Sequence, residues 1–343
     1  MASITAREID QGRRSRVIRW MLAASILAVV GLVLSVLVLV VGNTSYSFDT
    51  IFKVLSGEEI AGASFSIRTL RLPRMLAAVL AGFAFGISGS VFQTLLRNPL
   101  ASPNIIGITS GSSAAAVFFI LVLRQGGTAA SAASVAAGLI VTALIYFLSQ
   151  GGGFSGGKLI LIGIGIQAML NALISYMLQQ AASNDVPSAM RWLSGSLNAV
   201  KLSDLVPLGL TMILAVPLIL LLGRSLSIME LGEQSALTLG VKTNLTRIVI
   251  VIAAVSLLAF ATVATGPIAF VSFLAGPIAK RLSGSSIPHT LPAGLVGAIL
   301  VLAGDLIGQN AFAIRLPVGV ITGIIGAPYL IYLLIRTYKT GEA

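Results

Sequence analysis

The sequence predicts an all-α membrane protein with about ten transmembrane helices, and two properties of the chain indicate this class. Of its 343 residues, 56% are hydrophobic and only 10% are charged, whereas soluble proteins average about 25% charged residues. The mean hydropathy is +1.00, and apolar runs of bilayer length recur along the chain. Because a soluble core could not bury this much apolar sequence, the runs are predicted to cross a bilayer.

Ten apolar segments are long enough to be predicted as spans. They lie near residues 17–42, 72–96, 104–123, 129–149, 158–182, 205–223, 245–265, 267–282, 290–310 and 317–335. The first is longer than the apolar region of about 7–15 residues in a signal peptide, so we expect it to be a retained span. Segment 186–201 is too short and polar to cross, and we expect a re-entrant or surface helix there.

The basic residues predict the orientation, because cytoplasmic loops carry an excess of Lys and Arg. Five arginines lie between Arg7 and Arg19, at the start of the first span. Ten spans then return Arg336 and Lys339 to the same side. Both termini are therefore predicted to be cytoplasmic, and the net charge of +11 is attributed to topology rather than to nucleic-acid binding.

The chain lacks the residues that most enzymes and metal sites require. It has no cysteine, and His289 is its only histidine, so thiol chemistry is excluded and a histidine-based metal site nearly so. Gly152–Lys158 begins like a phosphate-binding loop, but Leu159 stands where Ser or Thr would hold magnesium. We predict a cytoplasmic turn there, no nucleotide site, no catalytic residue and no cofactor in this chain.

Asp305 is the only acidic residue inside a predicted span. An intramembrane carboxylate is costly and is a functional candidate by default. It is predicted either to be a structural acceptor, paired with Gln309, Asn310 or a neighbouring helix, or to carry protons in a secondary transporter. The structural role is favoured, because a lone acid without basic partners in the membrane makes a poor proton relay.

Several local patterns indicate a packed bundle with broken helices. The unit Gly-Pro-Ile-Ala occurs at 266–269 and again at 276–279, and its proline is expected to break or kink a helix. Residues 98–103 form a second predicted helix break. Pairs of glycines four residues apart allow close helix contact. They are Gly82 and Gly86, Gly107 and Gly111, Gly304 and Gly308, and Gly319 and Gly323.

Two polar segments are candidate interaction surfaces. The run Arg68-Thr-Leu-Arg-Leu-Pro-Arg74 lies on the predicted outer side, where it either anchors the helix at lipid headgroups or docks an acidic partner. The longest cytoplasmic loop, from Arg224 to Arg247, is predicted to contain a short helix that ends at Gly240. A membrane protein without its own energy source needs such a surface to bind a partner that supplies the energy.

Taken in order, these segments resemble the FecCD-type permeases, which import iron–siderophores, haem and cobalamin. The resemblance covers about residues 45–337. It rests on Arg71-Leu-Pro-Arg74, Gly89-x-x-x-Gln93-x-x-x-Arg97-Asn-Pro-Leu-Ala101-x-Pro103, Leu231-Gly-Glu with Leu239-Gly-Val241, Gly266-Pro-Ile-x-Phe270, Leu316-Pro-Val-Gly319 and Gly326-Ala-Pro328. One departure is Gly276-Pro277, where members of the family commonly have Pro-His.

The resemblance implies a type II ABC importer permease architecture. Residues 1–16 would be a basic cytoplasmic tail, 17–337 one transmembrane permease domain with a coupling loop at 224–246, and 338–343 a second cytoplasmic tail. The implied partners are a second permease subunit, identical or different, two ABC ATPase subunits that bind ATP and Mg, and an extracytoplasmic substrate-binding protein. The implied cargo is an iron–siderophore, with cobalamin or haem as alternatives.

The resemblance also assigns site residues. In the family, the arginines of the Arg-Leu-Pro-Arg motif dock the binding protein. The docking residues are then Arg71, Arg74 and Arg315, the coupling residues Leu231, Gly232, Glu233, Ala236, Leu237 and Gly240, and the exit-gate residues Asn98, Pro99, Leu100, Ser155, Gly156 and Gly157.

Overall fold

The computed structural model describes residues 6–103, 107–149, 156–284 and 287–340, which form α-helices and their connections. The helices are α1 Ala6–Val40, α2 Phe48–Leu55, α3 Ala63–Phe65, α4 Leu72–Leu95, α5 Ile108–Leu121, α6 Thr128–Ser149, α7 Gly156–Gln180, α8 Val186–Leu193, α9 Leu202–Met229, α10 Glu233–Thr238, α11 Thr243–Thr265, α12 Val271–Ser283, α13 Thr290–Asn310 and α14 Val318–Thr340. A π-helical segment, Ser66–Arg71, joins α3 to α4 without a break.

Ten of these helices correspond in order to the ten predicted spans. Within the described residues, seven continuous helical segments are long and apolar enough to cross a membrane. They are α1, the α3–α4 segment, α6, α7, α9, α11 and α13. Helix α5 and the Val318–Leu333 part of α14 are shorter apolar segments. The all-α class is therefore confirmed, and the helices follow the order of the predicted spans.

The predicted span 267–282 starts too early. Helix α12 has only 13 residues, which at 1.5 Å per residue span about 20 Å, less than the roughly 30 Å of a hydrocarbon core. Residues 266–270 are not helical, because Pro267 disfavours helical dihedrals at Gly266 and Phe270 has a positive φ of 62°. The helix break predicted from the proline repeat is thus present between Thr265 and Val271.

Two other helix limits differ from the predicted segments. Helix α1 begins at Ala6, so the described part of the predicted tail is helical and continuous with the first span. Helix α9 continues to Met229 because its apolar face, with Leu226 and Met229 buried, runs past Arg224. The connection to α11 is therefore residues 230–242, shorter than the predicted loop at 224–246. The short helix expected in segment 186–201 is present as α8, at Val186–Leu193.

Helix α4 is the centre of the bundle and packs against α9, α11, α12 and α13. Its Gly82 and Gly86 lie directly on the backbone of α13 at Gly297 and Ala293, so that a methyl group at Gly82 would lie 2.6 Å from the Gly297 carbonyl oxygen. This confirms the predicted role of the pair in close helix packing. Gly323 faces open space, however, and Gly319 contacts the backbone of Ser194, so these two do not act as a pair.

A buried glutamine on α4 compensates for the hydrogen bond that the unusual Gly276-Pro277 sequence removes from α12. Pro277 has no N–H, so the carbonyl of Phe273, four residues earlier, loses its helical donor. Gln93 Nε2 donates to this carbonyl at 2.9 Å. A side chain at position 276 would collide with Gln93 Oε1, so glycine makes the room that this substitute hydrogen bond requires.

Candidate functional site

The two ends of the bundle carry different polar groups. One end holds Arg71, Arg74 and Arg315 around a cavity, and we call it the Arg74 end. The opposite end holds Arg97 and helix α10, and we call it the Glu233 end. Between them, a groove opens on the side of the bundle.

At the Arg74 end, Arg74 forms a bidentate ion pair with Asp305. Arg74 Nε lies 2.7 Å from Asp305 Oδ2, and Nη2 lies 2.8 Å from Oδ1. The two side chains are 18% and 3% exposed. The pair joins α4 to α13, so the partner of Asp305 is on a neighbouring helix rather than being Gln309 or Asn310. The sequence analysis assumed that Asp305 has no basic partner in the membrane. This assumption is wrong, because Arg74 contacts the carboxylate.

Arg71 closes the end of α1. Its Nη1 donates to the carbonyl oxygens of Leu39 at 2.7 Å and Val40 at 2.9 Å, and its Nη2 donates to Thr44. The guanidinium also lies over the Tyr46 ring, 4.7 Å from its centroid. A cation at a helix C-terminus is favoured by the helix dipole and satisfies carbonyls without a helical donor.

Of the other two arginines at this end, Arg68 is held by several hydrogen bonds, whereas Arg315 contacts Asn43. Arg68 pairs with exposed Glu59 at 2.6 Å, and its Nε donates to Val54 O at 2.9 Å. Arg315 is exposed, and its Nη2 donates to Asn43 Oδ1 at 2.7 Å. Of the three predicted docking residues, Arg315 is therefore the most accessible.

A cavity of about 360 Å³ lies at the Arg74 end. Arg71, Arg74, Arg315 and Asp305 line it, so three cations face one acid. Gln309 also lines it, and the Gln309 Nε2 atom is buried without a hydrogen-bond partner among the described residues. The cavity therefore offers positive charge, which suits a carboxylate.

At the Glu233 end, the predicted short helix is present as α10. It ends at Gly240, which has a φ of 80°, with Val241 N donating to Ala236 O and Gly240 N to Leu237 O, both at 3.0 Å. This is the Schellman arrangement that favours glycine. Ala236 is buried with Met229 and Val241 against the bundle.

The opposite face of this segment is exposed and apolar. Leu231, Leu237 and Leu239 are 69%, 56% and 62% exposed. Gly232, with a φ of 121°, turns the chain into α10. Exposed leucines rimmed by polar residues are typical of an interaction surface.

The sequence did not identify the ion pair that holds α10 in place. Glu233 Oε1 lies 3.2 Å from Nη2 of Arg247, whose side chain is 7% exposed. Arg247 Nη1 also contacts Asn244 Oδ1 at 3.3 Å. The only sequence signal was the presence of both residues in one loop region, because their pairing depends on how α10 folds back onto α11.

Part of the predicted exit gate lies against the same ion pair. A cavity of about 280 Å³ is lined by Arg97, Gly156, Glu233 and Arg247, among others. Arg97 ends α4 in a left-handed conformation with a φ of 50°, and Asn98 Oδ1 accepts from Leu100 N at 2.8 Å, which shapes the turn at Pro99. Gly157 follows in the first turn of α7, and Ser155 lies outside the described residues.

The side groove lies between α5, α7 and the α8 region, with a volume of about 330 Å³. Its polar groups are neutral: Thr109, Ser110, Ser113, Gln167, Asn171 and Ser175. The last three recur every four residues and therefore form a stripe on one face of α7. Most of α7 is unburied, with Leu161 73% and Met169 73% exposed, so this polar stripe interrupts an otherwise apolar surface.

This fold defines a multi-pass membrane transport permease. The chain belongs to the FecCD transport family, whose model matches residues 26–336. It is 34% identical over 299 residues to the ferric enterobactin transport system permease protein FepG of Escherichia coli (strain K12), covering 86% of this chain and 90% of that protein. It is also 34% identical over 319 residues to the Fe(3+)-citrate import system permease protein YfmE of Bacillus subtilis (strain 168), covering 92% and 95%.

A solved structure gives the same fold. It is described as an inward-facing conformation of a metal-chelate type ABC transporter, and it superposes with a TM-score of 0.80 at 27% identity. The match covers 91% of this chain and 98% of that one. The family inferred from the motifs is therefore confirmed.

Proposed function

We propose that this chain is the permease subunit of an ATP-driven importer for ferric siderophores or related ferric chelates. The family match over residues 26–336 carries the proposal, because the relatives at 34% identity are named for ferric enterobactin and Fe(3+)-citrate. The chain would work with a second permease subunit, two ATPase subunits that hold ATP and Mg, and an extracytoplasmic binding protein. Both termini and the Glu233 end would face the cytoplasm.

The cavity at the Arg74 end supports docking of an acidic partner on the outer side. Three cations and one acid line it, and Arg315 is exposed. A carboxylate from a binding protein would bind Arg315 directly and share the guanidinium groups of Arg71 and Arg74, which already have partners within the chain. Arg74 would thus serve both the fold and the docking surface.

The exposed leucines at the Glu233 end support contact with an ATPase. Leu231 and Leu237 project from a segment whose other face is anchored by Ala236 and by the ion pair between Glu233 and Arg247. A force applied to α10 would pass through that ion pair to α11. The ion pair also lines one cavity with Arg97 and Gly156, so a displacement of α10 would change the shape of that cavity beside the predicted gate.

The side groove supports a pathway at the interface between two permease subunits. A neutral polar stripe is costly against lipid but compatible with a partner subunit and a hydrated path. Hydroxyl and amide groups bind a polar chelate only weakly, which permits release as well as entry. Proton coupling through Asp305 is not supported, because Arg74 holds that carboxylate in a bidentate pair.

The test compares two double variants in cells that express the complete transporter. Leu231→Ser with Leu237→Ser is expected to abolish co-purification of the ATPase and uptake of labelled ferric citrate or ferric enterobactin. Val122→Ser with Leu123→Ser is the matched control, because these residues are 55% and 44% exposed just after α5 and lie outside both proposed surfaces. ATPase binding and uptake that survive the double substitution would contradict the proposed coupling surface, and uptake without any ATPase would contradict the importer itself.

A further inference from the structure

Two adjoining cavities lie beside the first turns of α1 at the Glu233 end. Their volumes are about 360 and 830 Å³, and both are lined by Arg16 and Ile287. The smaller lies between α1 and the end of α12. The larger lies between α1 and the end of α9. We call them the basic cavities.

Their lining is strongly cationic. It includes six basic side chains and one acid, Glu230, which is paired with Lys280 at 3.2 Å. The basic residues are Arg13, Arg16, Arg19, Arg224, Lys280 and Arg281. Arg19 is fixed in place, since its Nε and Nη2 donate to the carbonyls of Leu282 at 3.1 Å and Arg281 at 2.8 Å. The chain thus concentrates positive charge in a concave site and neutralises little of it.

The basic cavities adjoin the apolar surface that faces lipid. On α1, Val17 and Met21 are 39% and 57% exposed, and on α9, Leu221 is 80% exposed. Trp20 lies at the same level and donates from Nε1 to Pro288 O at 3.0 Å. Tryptophan and arginine beside an apolar span mark the membrane–water interface.

We propose that the basic cavities bind the headgroup of an anionic phospholipid, with its acyl chains against α1 and α9. Arginine pairs well with phosphate oxygens, and basic pockets between spans on the cytoplasmic side suit anionic headgroups. Leu231 of the ATPase-contact segment borders the larger cavity, but a soluble acidic partner there would use the charge and not the adjoining lipid-facing surface. The proposal rests on the proposed function only in placing this end at the cytoplasmic leaflet.

The test measures lipid binding to the purified transporter. Native mass spectrometry would compare dioleoyl-phosphatidylglycerol with dioleoyl-phosphatidylcholine. The variant is Arg16→Gln with Arg281→Gln, and the matched control is Arg14→Gln with Lys201→Gln, which removes two charges outside the basic cavities. Unfolding in phosphatidylcholine alone checks that each variant is folded, and ATPase co-purification checks the assembly.

The wild type is expected to bind phosphatidylglycerol more tightly than phosphatidylcholine. Loss of the two arginines should weaken phosphatidylglycerol binding by about fivefold per charge, on the order of 25-fold together, while the control pair changes it little. Equal binding of the two lipids, or unchanged binding in the variant, would overturn the lipid site and leave the importer proposal intact. Loss of the ATPase with unchanged lipid binding would instead assign the surface to a protein contact and also overturn it.

Discussion

Replacing Arg74 with glutamine is expected to destabilise the protein by leaving Asp305 charged, buried and without its cation. The Asp305 side chain is 3% exposed and accepts two hydrogen bonds from Arg74. Breaking a buried ion pair by removing one partner costs about 3–5 kcal/mol. Because Arg74 retains 18% exposure, water can partly replace it, and we expect the lower end, about 3 kcal/mol.

The double variant Arg74→Gln with Asp305→Asn separates the fold from docking. It removes both charges and keeps side chains of similar size that can bond each other, so its unfolding free energy should return to within about 1 kcal/mol of the wild type. Reversible unfolding in mixed detergent micelles measures the unfolding free energy of the wild type, of the single variants Arg74→Gln and Asp305→Asn, and of the double variant. Lys53→Gln with Asp49→Asn is the control pair, because that ion pair is exposed and should contribute little to stability.

Chelate uptake by the same variants decides what else Arg74 does. If Arg74 also docks the binding protein, the double variant regains stability but not uptake. If uptake returns with stability, Arg74 acts only within the fold and the docking proposal for this residue fails. The structural reasoning itself is refuted if the single variants are as stable as the wild type, or if their effects simply add in the double variant.

Three further predictions concern residues that the packing of the bundle brings into special positions. Gly276→Ala should push Gln93 away from the Phe273 carbonyl and cost about 1–3 kcal/mol of unfolding free energy, with Gly276→Ser costing at least as much in the same unfolding assay. Arg97→Gly should stabilise the end of α4 by about 1 kcal/mol, because glycine adopts a positive φ without strain, and no gain in the unfolding midpoint would contradict this. Burial, with a smaller effect of Lys280, lowers the pKa of His289 to about 4. The unfolded chain therefore binds the extra proton first, and stability that is complete above about pH 6.5 should fall by roughly 3 kcal/mol as the pH approaches 4. His289→Gln should flatten that pH profile, and an unchanged profile would exclude this histidine as the cause.

Much of the fold was predictable because its signals are local. A bilayer demands about 20 apolar residues per helix, so hydropathy alone located the segments that became the long helices. Gly82 and Gly86 indicated a close helix contact, and Gly240 indicated the end of α10, because each depends on a few neighbouring residues. Two local signals disagreed at α12: the proline repeat predicted the helix break at residues 266–270, whereas the apolar composition wrongly extended the span back to residue 267.

The partners of the charged side chains were decided only by tertiary structure. Arg74 and Asp305 are 231 residues apart in the chain, and their pairing depends on the contact between α4 and α13. The family resemblance therefore assigned the arginine only to docking, and the sequence left the aspartate as a lone acid. The same holds for Glu233 with Arg247 and for Gln93 with the Phe273 carbonyl. The amino-acid sequence by itself determined which segments enter the membrane, because that depends on transfer of each segment from water to lipid. Which polar groups meet inside depends on the packing of distant helices, and only the folded chain settles that.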